Sequence, residues 1–275
     1  MSTAADTRTT RPEPRPVVAL PSRLDDVPAT GVPFARLVKV ELRKATDTRA
    51  GRWLLGLIGL VTLIALVAVL FVGSPSDDKN FGTFLTTTFL PQNIFLPIVG
   101  ILVVTAEWSQ RTGLVTFSLE PRRGRVGFAK LVAAIVLGLA TVALGAVLAA
   151  GTTFAGQLIR GTDPSWSIGW QTVLGIVVGQ IVAVAMGVAF GMLLQNTPAA
   201  IVAYLVLPML WSILGAAVSW LSTAGEWLDT SRTLQPLYEA QMQGDDWPKL
   251  FVSIAVWVVL PLVLGMIRLR RSEVK

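Results

Sequence analysis

Two carboxylates in this 275-residue chain stand where carboxylates are costly. Glu41 falls inside or beside an arc of Phe34, Leu37, Val38, Leu42 and Ala45, whose spacing puts them on one side of a helix, and Glu107 closes a long apolar stretch. Each has a cation within helical reach, Lys44 one turn after Glu41 and Arg111 four residues after Glu107, so local ion pairing is one account of both. The other account gives Glu41 a contact with a partner protein or with a loop of its own chain, and makes Glu107 the anchor of a helix end. Neither acid has the company that acid–base or metal chemistry needs. The chain contains no histidine and no cysteine, which removes the commonest general base and metal ligand together with any thiolate nucleophile or disulfide framework. A phosphate-binding G-x-x-x-x-G-K-[ST] loop is absent, and no Gly-Lys dipeptide occurs. No catalytic residue and no metal ligand set is expected, and any ATP that drives this protein must be hydrolysed by another chain.

The elements that position these residues follow from an apolar composition. Hydrophobic residues make up 53% of the chain and charged residues 15%, against about 25% charged in soluble domains, and the mean hydropathy is +0.64. The solvent for most of the chain is lipid. About 20 apolar residues in a helix cross a hydrocarbon core about 30 Å thick, and six stretches reach that length: 53–72, 84–106, 128–157, 171–195, 199–221 and 250–267. The expected fold class is all-α, a polytopic membrane protein with six transmembrane helices. It divides into a disordered proline-rich tail at 1–33, an amphipathic interfacial helix at 34–52 and a transmembrane domain at 53–275. The run 17–20 is too short for a signal peptide, so the first span is expected to stay as an uncleaved anchor. In 34–52 the cations Arg36, Lys39, Arg43 and Lys44 oppose the apolar arc, as in a helix lying among anionic lipid headgroups.

The net charge of +6 reflects membrane topology and not nucleic-acid binding, because the basic residues flank apolar spans. Arg49 and Arg52 join the interfacial cations before the first span; Arg111, Arg122, Arg123, Arg125 and Lys130 lie between the second and third; Arg268, Arg270, Arg271 and Lys275 follow the sixth. These sides are expected to be cytoplasmic, with both termini there, in a plasma (inner) membrane of bacterial type. The opposite segments carry Lys79, Arg160 and the acid-rich 226–246, and Trp220, Trp227 and Trp247 suit an outer interface.

No acid or base stands near the middle of any span, where Thr62, Gln180 and Ser212 are polar exceptions to the apolar pattern. Coupling ions and protons are usually bound at such intramembrane charges, so mechanical drive from a partner fits better than ion coupling. Gln180 is expected to hydrogen-bond between helices. Gly175 with Gly179, and Gly187 with Gly191, have the spacing that lets helix backbones approach, within the chain or between subunits. Pro91, Pro97, Pro208 and Pro261 are expected to bend or interrupt spans, with Pro91-Gln92-Asn93 a place where the second could unwind. Gln195-Asn196-Thr197-Pro198 reads as a tight helical hairpin.

The segment between the second and third spans is the most informative. Glu107, Thr112, Gly113, Thr116, Pro121 and Arg122 are followed by Ala129-Lys130-Leu131 at the third span. An acid at a helix end, a Thr-rich turn, Pro-Arg and then Ala-Lys-Leu together resemble the cytoplasmic loop of ABC-2 type permeases, the membrane subunits of ATP-binding-cassette exporters. Val40-Glu41-Leu42-Arg43-Lys44 is similar to that family's Glu-Leu-Arg-Lys interfacial helix. The likeness runs from about Phe34 to the C-terminus, outside the proline-rich tail. It implies a permease that pairs with a second copy or a related permease around a central route, works by alternating access, and binds a cytoplasmic ABC ATPase that holds ATP and magnesium. It also implies ATPase coupling through 107–130, with Glu107, Arg111, Thr112, Thr116, Phe117, Pro121 and Arg122 as candidate contacts, and short re-entrant helices between the last two spans. The residues favour the same loop independently, because Leu114, Phe117 and Leu119 are apolar side chains in a polar, basic setting and want a partner. A loop resting on lipid headgroups through its arginines is the alternative. For the whole chain the alternative is a non-transporting scaffold or sensor that recruits a cytoplasmic factor. Substrate identity is not legible, since an apolar, uncharged route suits lipids, hydrophobic drugs and peptides alike.

Overall fold

The computed structural model describes residues 32–72, 79–109, 120, 122–161 and 165–271; the expected tail at 1–31 and most of the loop at 110–121 lie outside them. Among the described residues the helices are α1 (Phe34–Asp47), α2 (Arg49–Phe71), α3 (Phe81–Ser109), α4 (Arg123–Arg160), α5 (Trp170–Leu194), α6 (Thr197–Ala217), α7 (Ser222–Leu228), α8 (Thr230–Tyr238), α9 (Asp246–Ile254) and α10 (Leu260–Arg271). A 3₁₀ turn at Ser219–Leu221 follows α6, and a π turn at Ala255–Val259 joins α9 to α10. No strand occurs among the described residues. Six helices are long and apolar enough to cross a membrane: α2, α3, α4, α5, α6 and the continuous α9–α10 unit. The chain is a multi-pass, all-helical membrane protein.

The spans alternate in direction, and their basic ends gather together. Arg125 of α4 donates to the carbonyl of Val32 ahead of α1 at 2.9 Å, and a side chain at Gly124 would meet the Arg270 guanidinium of α10 at 3.0 Å. The α5–α6 hairpin reaches the same end, where Arg268 donates to Leu193 O at 2.6 Å and the hydroxyls of Thr105 and Thr197 lie 2.7 Å apart. At the opposite end are α7, α8 and the start of α9. Both ends of the described chain therefore lie at the basic end of the bundle.

Several helix boundaries differ from the apolar stretches for identifiable reasons. The expected single helix at 34–52 breaks at Thr48, whose backbone is extended and whose Oγ1 accepts from Gly51 N at 3.1 Å, so α2 starts as a capped helix four residues before the apolar run. A Cβ at Gly51 would strike the carbonyl of Ala45, so only glycine permits this elbow. The fifth span stops at Ala217 and not at Leu221, because Val218 turns extended and Gly215 packs back against Gly225 of α7 with room for only 3.3 Å. The hairpin at 195–198 forms as expected: Gln195 takes a left-handed φ of 53° and its N–H caps Gly191 O, then Asn196 Oδ1 accepts from Ala199 N at 3.0 Å.

The prolines do not interrupt the second span. α3 runs unbroken through Pro91 and Pro97, and the carbonyl that Pro97 frees one turn back, Asn93 O, accepts from the Tyr204 hydroxyl of α6 at 3.2 Å. Before Pro261 the ladder widens into the π turn, and Trp257 within it donates to Leu228 O at 2.7 Å. Of the most apolar window in each span, 72% of the residues in α5 and 61% in α3 are buried, against 11% in α6. α3 and α5 are thus the inner pair, and van der Waals packing, not exclusion from water, holds them in lipid. Leu96, Val99 and Val103 of α3 meet Val184, Val188 and Met192 of α5 in their shared core.

Candidate functional site

At the basic end a cluster of four charges joins α1, α3 and α4. Lys130 Nζ lies 2.7 Å from Glu41 Oε2 and 3.3 Å from Glu107 Oε1, and donates to Val103 O at 3.1 Å. Lys44 Nζ lies 2.7 Å from Glu41 Oε1 and 3.0 Å from Glu107 Oε1. Two acids and two amines alternate around a ring of no net charge. Glu41, Glu107 and Lys130 are all buried, while the Lys44 side chain is 39% exposed. Helical geometry brings each member in: Glu41 and Lys44 stand one turn apart on α1, Glu107 closes α3, and Lys130 sits in the third turn of α4.

The electrostatics suit a positional role. Each contact of Lys130 with a carboxylate is worth about 5–6 kcal/mol at an effective dielectric constant near 20, and desolvation of buried ions costs several kcal/mol per ion. The two terms largely cancel, so the ring adds little net stability but strongly disfavours any arrangement that parts α1 from α3 and α4. Burial works to lower the Lys44 pKa, yet Glu41 and Glu107 together outweigh it and hold the ammonium above its ordinary range. A second link lies beside the ring: Arg125 pairs with buried Glu120 at 3.1 Å while reaching Val32 O.

This geometry divides the residues singled out by sequence. Glu41 pairs with Lys44 one turn on, the local partner considered for it, and also with Lys130 of α4. Glu107 meets Lys44 and Lys130; Arg111, the local partner expected for it, lies outside the described residues, as do Thr112, Thr116, Phe117 and Pro121. Arg43 and Arg122 are exposed, and Arg122 forms the N-terminal boundary of α4 without a side-chain cap. Lys130 and the Glu120–Arg125 pair were not expected as ion partners. A lysine inside an apolar helix was itself a signal, since such an ammonium must find a counter-charge.

The four glycines pack within the chain, on two different partners. A Cβ at Gly175 would strike the Leu237 carbonyl, and one at Gly179 the Tyr238 ring, both of α8. A Cβ at Gly187 would strike Pro97 of α3, and Gly191 lies against Ile101 with 3.3 Å of room. Gln180 does not make the interhelical bond expected of it: its amide is buried with no hydrogen-bond partner among the described residues. No known protein-family profile and no curated protein matches this chain.

Proposed function

We propose that this chain is the membrane-spanning permease subunit of an ATP-driven exporter, moved by a separate cytoplasmic ABC ATPase that holds ATP and magnesium. The observation that carries the reading is the four-charge ring. The segment 110–121 leaves α3 beside Glu107 and enters α4 before Lys130, so force applied to it passes into both spans and, through Glu41 and Lys44, into α1. A coupling loop needs such a mounting, and the similarity of 107–131 to ABC-2 permeases supports the same use. In this reading the basic end is cytoplasmic, α1 lies in the inner-membrane interface against anionic lipid, and the short helices α7 and α8 sit at the outer side. A second permease, the same or related, completes a central route, and ATPase closure switches access across it.

The test is reconstitution in vesicles with a cytoplasmic ABC ATPase that copurifies with this chain. The expected result is ATP-dependent cargo movement and substrate-stimulated hydrolysis, both lost in Phe117→Asp. A charge in a packed interface costs several kcal/mol, so ATPase association should weaken by a decade or more. Full association and transport in that variant would remove the loop as the coupling element and favour a scaffold.

A further inference from the structure

A cavity of about 330 Å³ lies between α3, α5, α6, α8 and the α9–α10 unit, inside a single copy of the chain. Its size falls in the range of small-molecule sites, about 300–1,000 Å³. Ser231 and Gln235 of α8 are exposed and form a polar rim, at the end of the bundle opposite the basic residues. Deeper in, the polar atoms of the aromatic wall are committed or sealed. Trp257 donates to Leu228 O, the Tyr204 hydroxyl donates to Asn93 O, and the Tyr238 hydroxyl is buried against Gly179, which is not part of the lining. The side-chain amide of Asn93 is neither. Asn93 lines the cavity, is only half-buried, and its amide has no hydrogen-bond partner among the described residues. Both amide atoms of Gln180 are shut inside the packed core, whereas those of Asn93 stay accessible. Asn93 is the thirteenth of the 29 residues of α3, close to the middle of the span, where the surroundings are apolar and a polar group must find its partner within the protein or on a guest. No carboxylate, ammonium or guanidinium lines the cavity among the described residues, and an ionic guest would lose its hydration with nothing to replace it.

We propose that this cavity binds an uncharged molecule with an apolar body and a primary carboxamide, which pairs with the amide of Asn93. A carboxamide carries an acceptor and donors side by side, so two of them match through two parallel hydrogen bonds, each carbonyl accepting from the other's N–H. A ketone, an ether or an amine satisfies only one half of Asn93. The Met186 thioether and the rings of Tyr204 and Trp257 pack the apolar body, and the amide pair sets its orientation. Such a guest is a class of cargo if the chain is an exporter, and only that last step rests on the exporter reading. Occupancy of the cavity is measured without any ATPase, so its failure overturns the site and leaves export standing.

The probe is 4-benzoylbenzamide, an uncharged photoreactive amide, applied to the purified full chain in a maltoside detergent, which has no amide of its own. Labelling is expected to concentrate on Met186 and its neighbours, with the outward face of α6 as the internal reference for non-specific partitioning. The N,N-dimethyl form of the probe keeps the acceptor and loses the donor, and should label the cavity about fivefold less, the value of one hydrogen bond. Asn93→Leu is close in size and lacks the amide, so the two probes should label its cavity equally. That ratio reads recognition of the amide and is independent of how much of the variant is recovered. Ser231→Trp, on the exposed rim, narrows the entry without touching the packed wall and should bring both probes down to the α6 reference, a second reading should Asn93→Leu fail to fold. The stronger competitor of oleamide, a membrane amide, and benzamide, a water-soluble one, assigns the source of the natural guest. A preference for the primary amide that persists in Asn93→Leu, cavity labelling that never exceeds the α6 reference or is unchanged in Ser231→Trp, or labelling that neither competitor reduces, overturns the proposal.

Discussion

An ammonium in the third turn of an apolar helix survives burial only when counter-charges surround it, and Lys130 has two carboxylates and a carbonyl within 3.3 Å. Lys130→Met keeps the length and removes the charge, leaving two buried acids to share Lys44. It is expected to cost about 3–5 kcal/mol, read as a lower unfolding midpoint in detergent. Adding Glu41→Gln should cost less than the sum of the single changes, and strict additivity would show that the two side chains do not interact. Lys44 predicts a pH dependence. Its pKa is raised by folding, so its contribution is fully present below the ordinary value of 10.5 and declines as pH rises through the folded value. The stability difference between the wild type and Lys44→Met, small because Lys44 is partly exposed, should hold below the ordinary value of 10.5 and shrink as pH rises beyond it. At this scale the sequence was half legible. Glu41 and Lys44 are a local pair that helical spacing reveals, whereas Lys130 lies 89 residues from Glu41 and Lys44 lies 63 from Glu107, and no local pattern encodes contacts at that separation.

Helix α5 illustrates what spacing says about an element and what it omits. Gly175 and Gly187 are 12 residues apart, which at about 100° per residue turns the second pair about 120° away from the first. Two faces, and hence two partners, were implicit in the sequence; that the partners are α8 and α3 was not, because spacing names a face and not what covers it. Gly187→Ala would drive its Cβ into the backbone of Pro97 and should destabilise the protein by about 1–3 kcal/mol. Gly56→Ala on α2, where nothing lies within 4 Å, should be neutral or stabilising by up to about 1 kcal/mol. Comparing thermal midpoints of the two variants checks both, and equal effects would mean that α3 and α5 are not in close contact. The elbow at Thr48 and the unbroken α3 were missed for a related reason. Apolar runs report where lipid begins, whereas helix ends and proline tolerance depend on caps and on distant donors such as Tyr204.

For the molecule as a whole, positive residues gather at one end of the bundle, and the side of the membrane that this end faces can be read by chemical labelling. Because the native sequence has no cysteine, single cysteines can report that side without a background. Asp245→Cys is expected to react with an impermeant maleimide on intact cells and Arg122→Cys only after permeabilisation; the reverse pattern would invert the orientation. Six spans and their alternation were legible because bilayer thickness imposes a length that composition displays. The charge ring has one more consequence, in the order of birth of its members. Glu41 and Glu107 leave the ribosome before Lys130, and the 23 residues after Glu107 take about 1–5 s to add. For those seconds the first three helices hold an acid whose buried counter-charge has not yet been made. A nascent chain released at residue 125 should be cleared by proteases faster than one released at residue 161, as pulse-chase labelling would measure. The arrival of α4 is then the moment at which the amino-terminal half becomes a finished unit.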